Sequence, residues 1–216
     1  MIIDNLGTEG KPSIYYRYRE GRELIEKREV FFPYFYSNEV TNKGTAKTIH
    51  NTTVFKKYYN KPNLRYYFAK SLTDSYEVDV SIENRFLIDN FETLPEYEPR
   101  VWHLDIETDM GLDTKKTDKA IIAITYWDSF INEYITLSWK EGYVGENERH
   151  NDNWNIYIFE SEKEMLKYFT KDMKEYNPDM ICGWNLVNFD IPYIINRMYR
   201  IGLNPNELSP IGQVEA

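Results

Sequence analysis

The sequence predicts an α/β fold, a mixed sheet with flanking helices in the second half of the chain, preceded by a mainly β first domain. Three observations predict it. Residues 101–139 hold three runs rich in apolar, β-branched and aromatic residues, with turn residues between them. Two amphipathic helical patterns follow, separated by one short apolar run. Before them, aromatic extended runs alternate with turn signals, and Leu94-Pro95-Glu96-Tyr97-Glu98-Pro99 reads as a linker. The expected domains are therefore 1–98 and 99–216.

In the first domain, residues 11–41 read as a β meander. Ile14-Tyr15-Tyr16-Arg17-Tyr18-Arg19 is a strand and Glu20-Gly21-Arg22 a turn. Val30-Phe31-Phe32-Pro33-Tyr34-Phe35-Tyr36 is a second strand broken by Pro33, which has no N–H to give a ladder. Asn42-Lys43-Gly44 is another turn, and Thr53 to Tyr59 a further strand. Pro62 to Leu72 fits a short helix, and Arg85-Phe86-Leu87-Ile88 a helical segment.

The second domain is more regular. Val101 to Thr108 is a strand, Asp109 to Lys119 a polar loop, and Ala120 to Trp127 a buried strand. Asn132 marks a turn before a third strand, Glu133 to Trp139, which gives a hairpin meander. Gly142 to Asn153 is too polar for core and reads as a surface loop, and Asn155 to Phe159 as a short strand. Ser161-Glu162-Lys163-Glu164 is a capping box. The helix it opens presents Met165, Leu166, Phe169 and Met173 on one face and stops at Asn177-Pro178. Asp179 to Trp184 reads as a short buried strand parallel to the opening one. A second helix, Ile191 to Ile201, has Pro192 in its first turn.

The chemistry gathers on Val101-Trp102-His103-Leu104-Asp105-Ile106-Glu107-Thr108. Side chains alternate faces along a strand, so Asp105 and Glu107 point the same way. Neighbouring carboxylates repel unless a cation lies between them. A hard divalent ion, Mg²⁺ or Mn²⁺, prefers such oxygen ligands. A bare Asp-x-Glu also fits a solvated strand end. A third carboxylate, Asp190, lies where a strand gives way to a helix, and ligands collect at strand carboxyl ends in open α/β sheets. Taken alone, Asp190 fits a helix N-cap, Asn185 and Asn188 fit turn chemistry, and Phe189 fits core packing.

Composition narrows the function classes. The chain of 216 residues is 42% hydrophobic and 16% aromatic, with 19 Tyr, enough for a packed core. No apolar run approaches the roughly 20 residues of a membrane helix, and the N-terminus carries no secretory pattern. Cys182 stands alone, which suits a reducing compartment. Residues 1–100 hold 15 Lys+Arg and 15 Asp+Glu, whereas residues 101–216 hold 11 and 20. That acidity argues against bulk electrostatic binding of nucleic acid. It does not exclude a metal-dependent nuclease, whose site is itself acidic.

Asp105-Ile106-Glu107-Thr108 resembles the first exonuclease motif of family B DNA polymerases, and Asn185-Leu186-Val187-Asn188-Phe189-Asp190 is similar to their second. Pro33-Tyr34-Phe35-Tyr36 resembles the N-terminal-domain pattern of archaeal and phage members, and Arg85-Phe86-Leu87-Ile88-Asp89 the segment before their exonuclease domain. Asn177-Pro178-Asp179 and Asn196-Arg197 fit as well. The resemblance implies an N-terminal domain followed by an RNase H-like 3′–5′ exonuclease domain that proofreads during DNA replication. In that family, four carboxylates hold two divalent ions, Mg²⁺ or Mn²⁺, that hydrolyse the 3′-terminal phosphodiester. By resemblance, Asp105 bridges both ions, Glu107 binds one and Asp190 helps hold the other. Asn185 and Phe189 position the unpaired 3′ end, and Thr108 touches the terminal nucleotide. The implied partners are a single-stranded DNA 3′ end, primer-template DNA and the remaining polymerase chain, with no membrane. The implied location is the cytoplasm, or the host cytoplasm for a viral protein.

The family's third exonuclease motif, Tyr-x-x-x-Asp, does not occur between Asp190 and Ala216. The expectation is a weak or inactive exonuclease on its own, whether a fragment, a truncated product or a piece of a split polymerase. The alternative is a fragment that binds DNA or a partner without hydrolysis.

Overall fold

A computed structural model describes residues 2–4, 12–59, 74–94, 96–109, 113–142 and 148–214. The chain divides into two compact units, Met1–Glu98 and Pro99–Ala216.

The first unit holds two antiparallel sheets among its described residues. Strands β1 (Ile2–Asp4), β2 (Ser13–Glu20) and β3 (Glu23–Val30) form one, in that order. Strands β4 (Tyr34–Ser37), β5 (Thr45–Lys47), β6 (Thr53–Tyr58) and β7 (Ser75–Tyr76) form the other, in the order β5-β6-β4-β7. The second strand of the meander therefore begins seven residues before the expected Val30. Its sequence, Glu-Leu-Ile-Glu-Lys-Arg-Glu-Val, lacks apolar alternation because it is mostly exposed. It is held by full pairing with β2, from Ser13↔Val30 to Glu20↔Glu23, and by the Tyr16 hydroxyl donating to Glu29 at 2.7 Å. Pro33 falls between β3 and β4 instead of inside a strand. Helix α1 (Ile82–Asn90) is capped by the Ser81 hydroxyl. Its Ile82 and Phe86 pack with Ile14 and Tyr16. The helix expected over Pro62 to Leu72 lies outside the described residues.

The second unit contains a six-stranded mixed sheet. Strands β8 (Val101–Thr108), β9 (Ile121–Asp128) and β10 (Glu133–Trp139) form the antiparallel meander. Strands β11 (Glu148–Asn151) and β12 (Trp154–Phe159) extend it on one side, with β12 parallel to β10. Helix α2 (Glu162–Tyr176) leads to β13 (Met180–Cys182), which pairs in parallel with β8 on the far edge. The sheet order is β11-β12-β10-β9-β8-β13. Helix α3 (Ile191–Arg200) and a 3₁₀ turn, Pro205–Leu208, complete the unit.

Two differences from expectation concern sheet edges. The segment expected as a surface loop contains β11, because the outer edge of β12 needs a partner for its backbone groups. Strand β13 is shorter than Asp179–Trp184 and is not fully buried; as the last strand of the sheet it leaves Met180 52% exposed.

Along β8 the alternation is regular: Trp102, Leu104 and Ile106 are buried, whereas His103, Asp105 and Glu107 are exposed. The buried side joins one cluster with Met165, Leu166 and Phe169 of α2 and Tyr193, Ile194 and Met198 of α3. Trp102 stacks on Tyr126 with ring centroids 4.0 Å apart. The Ser161 hydroxyl caps α2 by accepting from the Glu164 amide. Among the described residues, no helix is long and apolar enough to cross a membrane.

Asp172 on α2 is buried and accepts a hydrogen bond from the Tyr126 hydroxyl. Burial pushes its carboxyl up to about 6, with the Glu175 charge adding to the rise and the Tyr126 bond and Lys171 opposing it. Because the folded state holds this proton more tightly than the unfolded chain, stability falls as pH rises from about 4 to about 6 and is level above that. The expected loss is on the order of 2 kcal/mol. In Asp172→Asn, a pH series of thermal unfolding should lack this decline. Parallel slopes for wild type and variant would refute the assignment.

Candidate active site

The candidate site is built at the outer edge of β8. Strand β13 pairs with Val101, Trp102 and His103 and then ends. From Leu104 onward the chain after β13 takes over that edge. Gly183 follows first, and its backbone approaches so closely that a Cβ there would lie 2.5 Å from the Leu104 carbonyl oxygen and 3.3 Å from Leu186. A π-helical turn, Leu186–Asp190, comes next. In it the Asn185 carbonyl accepts from both the Phe189 amide, at 2.8 Å, and the Asp190 amide, at 3.4 Å. Such turns insert one extra residue into a helix start and recur at functional sites.

Asp190 ends this turn and opens α3. Its side chain makes no capping bond to the helix. Instead the carboxylate turns to β8, where the Ile106 amide donates to it. Ile106 lies between Asp105 and Glu107. Asp190 is 2% exposed, and its Oδ2 has no hydrogen-bond partner. Burial raises its proton affinity above the ordinary carboxylate range, and the nearby Asp105 charge raises it further. The two motifs, far apart in sequence, therefore meet.

Glu107 shares the exposed face of β8 with Asp105. Among the described residues, no three His, Cys, Asp or Glu side chains form a ready-made metal-ligand group. The chemistry of Asp190 and Asp105 nevertheless fits a cation, since one oxygen is buried without a partner and the two charges repel. Thr108 is half-buried where β8 shifts register against β9. Asn185 is exposed. Phe189 is half-buried, packs against the core cluster and sits 5.4 Å from the Tyr193 ring, so core packing accounts for much of its surface. His103 is exposed beside Trp127, with centroids 5.5 Å apart.

Helix α3 is fixed by contacts that the motifs alone do not reveal. Arg197 donates from Nε and Nη2 to the two carboxylate oxygens of Glu162, at 2.8 and 2.7 Å. The Glu162 Oε1 also accepts from the Ile121 amide. Tyr193, Asn196, Arg197 and Arg200 each donate to a carbonyl of the loop Thr114 to Lys119. These bonds tie α3, α2 and β9 together and so set where Asp190 stands. The Asn196-Arg197 pair was the sequence signal for this anchor; Glu162 was visible only as part of a capping box.

Comparison with known proteins gives this geometry a family. The profile described as "DNA polymerase family B, exonuclease domain" matches residues 75–215. A DNA polymerase of Thermococcus kodakarensis is 27% identical over 94% of this chain and 14% of its own length. One from Thermococcus sp. strain 9oN-7 is 28% identical over 94% of this chain and 29% of its own length. DNA polymerase 1 of Pyrococcus abyssi is 27% identical over 94% of this chain and 30% of its own length. The chain thus spans less than a third of the length of these relatives. With the matched profile running through both carboxylate motifs, the chain belongs to DNA polymerase family B, to which it contributes sequence of the exonuclease domain.

Proposed function

We propose that residues 99–216 form an RNase H-like 3′–5′ exonuclease domain, or its first part, and that residues 1–98 form the N-terminal domain of the same polymerase. The substrate is a single-stranded DNA 3′ end, presented from primer-template DNA, and the reaction is hydrolysis of the terminal phosphodiester. The observation that carries this reading is Asp190: a buried carboxylate that does not cap its own helix, keeps one oxygen unpaired and is repelled by Asp105. A carboxylate placed in this way weakens the fold unless a cation compensates it.

Asp105, Glu107 and Asp190 would hold the metal. Two divalent ions, Mg²⁺ or Mn²⁺, would lower the pKa of a bound water and neutralise charge at the leaving oxygen. The chain's own residues supply the rest. The Ile106 amide orients Asp190, and the β8 backbone fixes the spacing of Asp105 and Glu107. Thr108 and the exposed Asn185 are placed to contact the terminal nucleotide, while Phe189 supports the turn and bounds the nucleotide's site. The chain acts alone or with the remaining polymerase sequence, in the cytoplasm. The lack of a ready-made three-acid group among the described residues favours a second reading, in which the chain binds DNA or a partner without hydrolysis.

One assay separates the two. A 3′-labelled single-stranded oligonucleotide is incubated with the chain in Mg²⁺ or Mn²⁺, beside Asp105→Ala. The nuclease reading expects weak but measurable metal-dependent release of label that falls at least about tenfold in the variant, as losses around metal ligands do. Binding without release in the wild type would leave the second reading standing and overturn the first.

A further inference from the structure

Trp184 is 100% exposed, whereas tryptophan is highly buried on average. The sequence places it at the end of a buried strand, Asp179 to Trp184, and two other tryptophans, Trp102 and Trp139, do join the core cluster. Trp184 does not, because it follows the end of β13 at the open edge of the sheet. Strands β13 and β8 pair in parallel with Cys182 opposite His103. Gly183 then packs closely against the Leu104 carbonyl. Trp184 is the next residue in the chain, so it stands at the edge of β8 where Leu104 leads into Asp105. Asn185 follows directly, and Val187, one turn on, is 80% exposed.

A large exposed aromatic ring beside an acidic site answers a physical problem. Residues 101–216 carry 11 Lys+Arg against 20 Asp+Glu, so this half of the chain cannot draw in a polyanion by charge. Base stacking is independent of phosphate charge and works on any unpaired base. We propose that Trp184 is a positioning residue that stacks on an unpaired base at the 3′ end and holds the strand against Asp105 and Asp190. This inference rests on the nuclease reading above, and extends it by naming what grips the strand.

The test uses the whole chain with wild type, Trp184→Ala, Trp184→Phe and Asp105→Ala. A fluorescent single-stranded oligothymidylate is titrated in Ca²⁺ for Kd, and 3′-end release is followed in Mn²⁺ for kcat and KM. Trp184→Ala is expected to raise Kd and KM by at least about fivefold, with kcat and the unfolding temperature little changed, because the side chain has no packing to lose. Trp184→Phe should recover most of the affinity. If the wild type binds and cleaves in an Asp105-dependent way while Trp184→Ala keeps its Kd and KM within twofold, stacking by Trp184 is overturned and the nuclease reading survives. A wild type that neither binds nor cleaves overturns both.

Discussion

Gly183→Ala is expected to unfold at markedly lower temperature and to lose contact between the two carboxylate motifs. The added methyl would lie 2.5 Å from the Leu104 carbonyl oxygen, a separation no real Cβ tolerates, and 3.3 Å from Leu186. The obstacle is strand backbone in the middle of β8 and cannot rotate away as a side chain can. The loop after β13 must therefore move. Overpacking of this kind costs about 1–3 kcal/mol, and more where backbone is involved. The same movement would draw Asp190 off the Ile106 amide and away from Asp105. Two measurements report it: the thermal midpoint, and the proton affinity of Asp190 by NMR titration, which should fall towards an ordinary carboxylate value. An unchanged midpoint together with an unchanged Asp190 titration would show that the close approach at Gly183 has no structural role. Gly202 makes a useful comparison. It has φ +71° and open space around it, so it serves backbone conformation and not proximity.

The contrast between these glycines shows what sequence can carry. Strand β8 was legible because Trp102, Leu104 and Ile106 alternate with His103, Asp105 and Glu107, and one face of the sheet is buried. Helices α2 and α3 were legible from the 3.6-residue recurrence of Met165, Phe169, Ile194 and Met198. The family was legible because both acidic motifs carry matching neighbours. Strands β3 and β11 were not, since an exposed or edge strand is specified by its partner's backbone and shows little apolar rhythm. Nor was the π-helical turn at Leu186–Asp190, which no local residue preference announces. It decides that Asp190 faces β8 instead of capping α3. The exposure of Trp184 has the same origin: an aromatic residue reads as core until the strand before it is known to stop at Cys182.

At the opposite end of β8, Asp128→Ala is expected to destabilise the second unit by about 3–5 kcal/mol, the usual result of removing one member of a buried ion pair. Asp128 is 0% exposed and gathers four donor groups. Arg100 Nε lies 2.9 Å and Nη2 2.7 Å from its Oδ2. Trp102 Nε1 donates to Oδ2 at 2.7 Å, and the Phe130 amide to Oδ1 at 2.9 Å. Alanine would leave a half-enclosed guanidinium and a buried indole N–H without their acceptor. Arg100 also donates to the Tyr176 carbonyl, and its amide to Asp179, so the loss would spread to the end of α2 and the approach to β13. Urea unfolding measures it directly, and a loss below about 1 kcal/mol would show that solvent replaces the carboxylate at little cost. The functional consequence separates scaffold from chemistry. Asp105 and Glu107 stand further along the same strand, and Asp190 is held to Ile106, with no bond to this network among those around it. On the proposed nuclease reading, any metal-dependent release of a 3′ nucleotide per folded molecule should, below the variant's unfolding temperature, therefore match wild type. Asp105→Ala should show the reverse, a near-native unfolding curve with the reaction lost. If instead Asp128→Ala abolished the reaction while folded, the root of β8 would have to set the position of its acids, and the edge built by Gly183 and Asp190 would not suffice to fix the site.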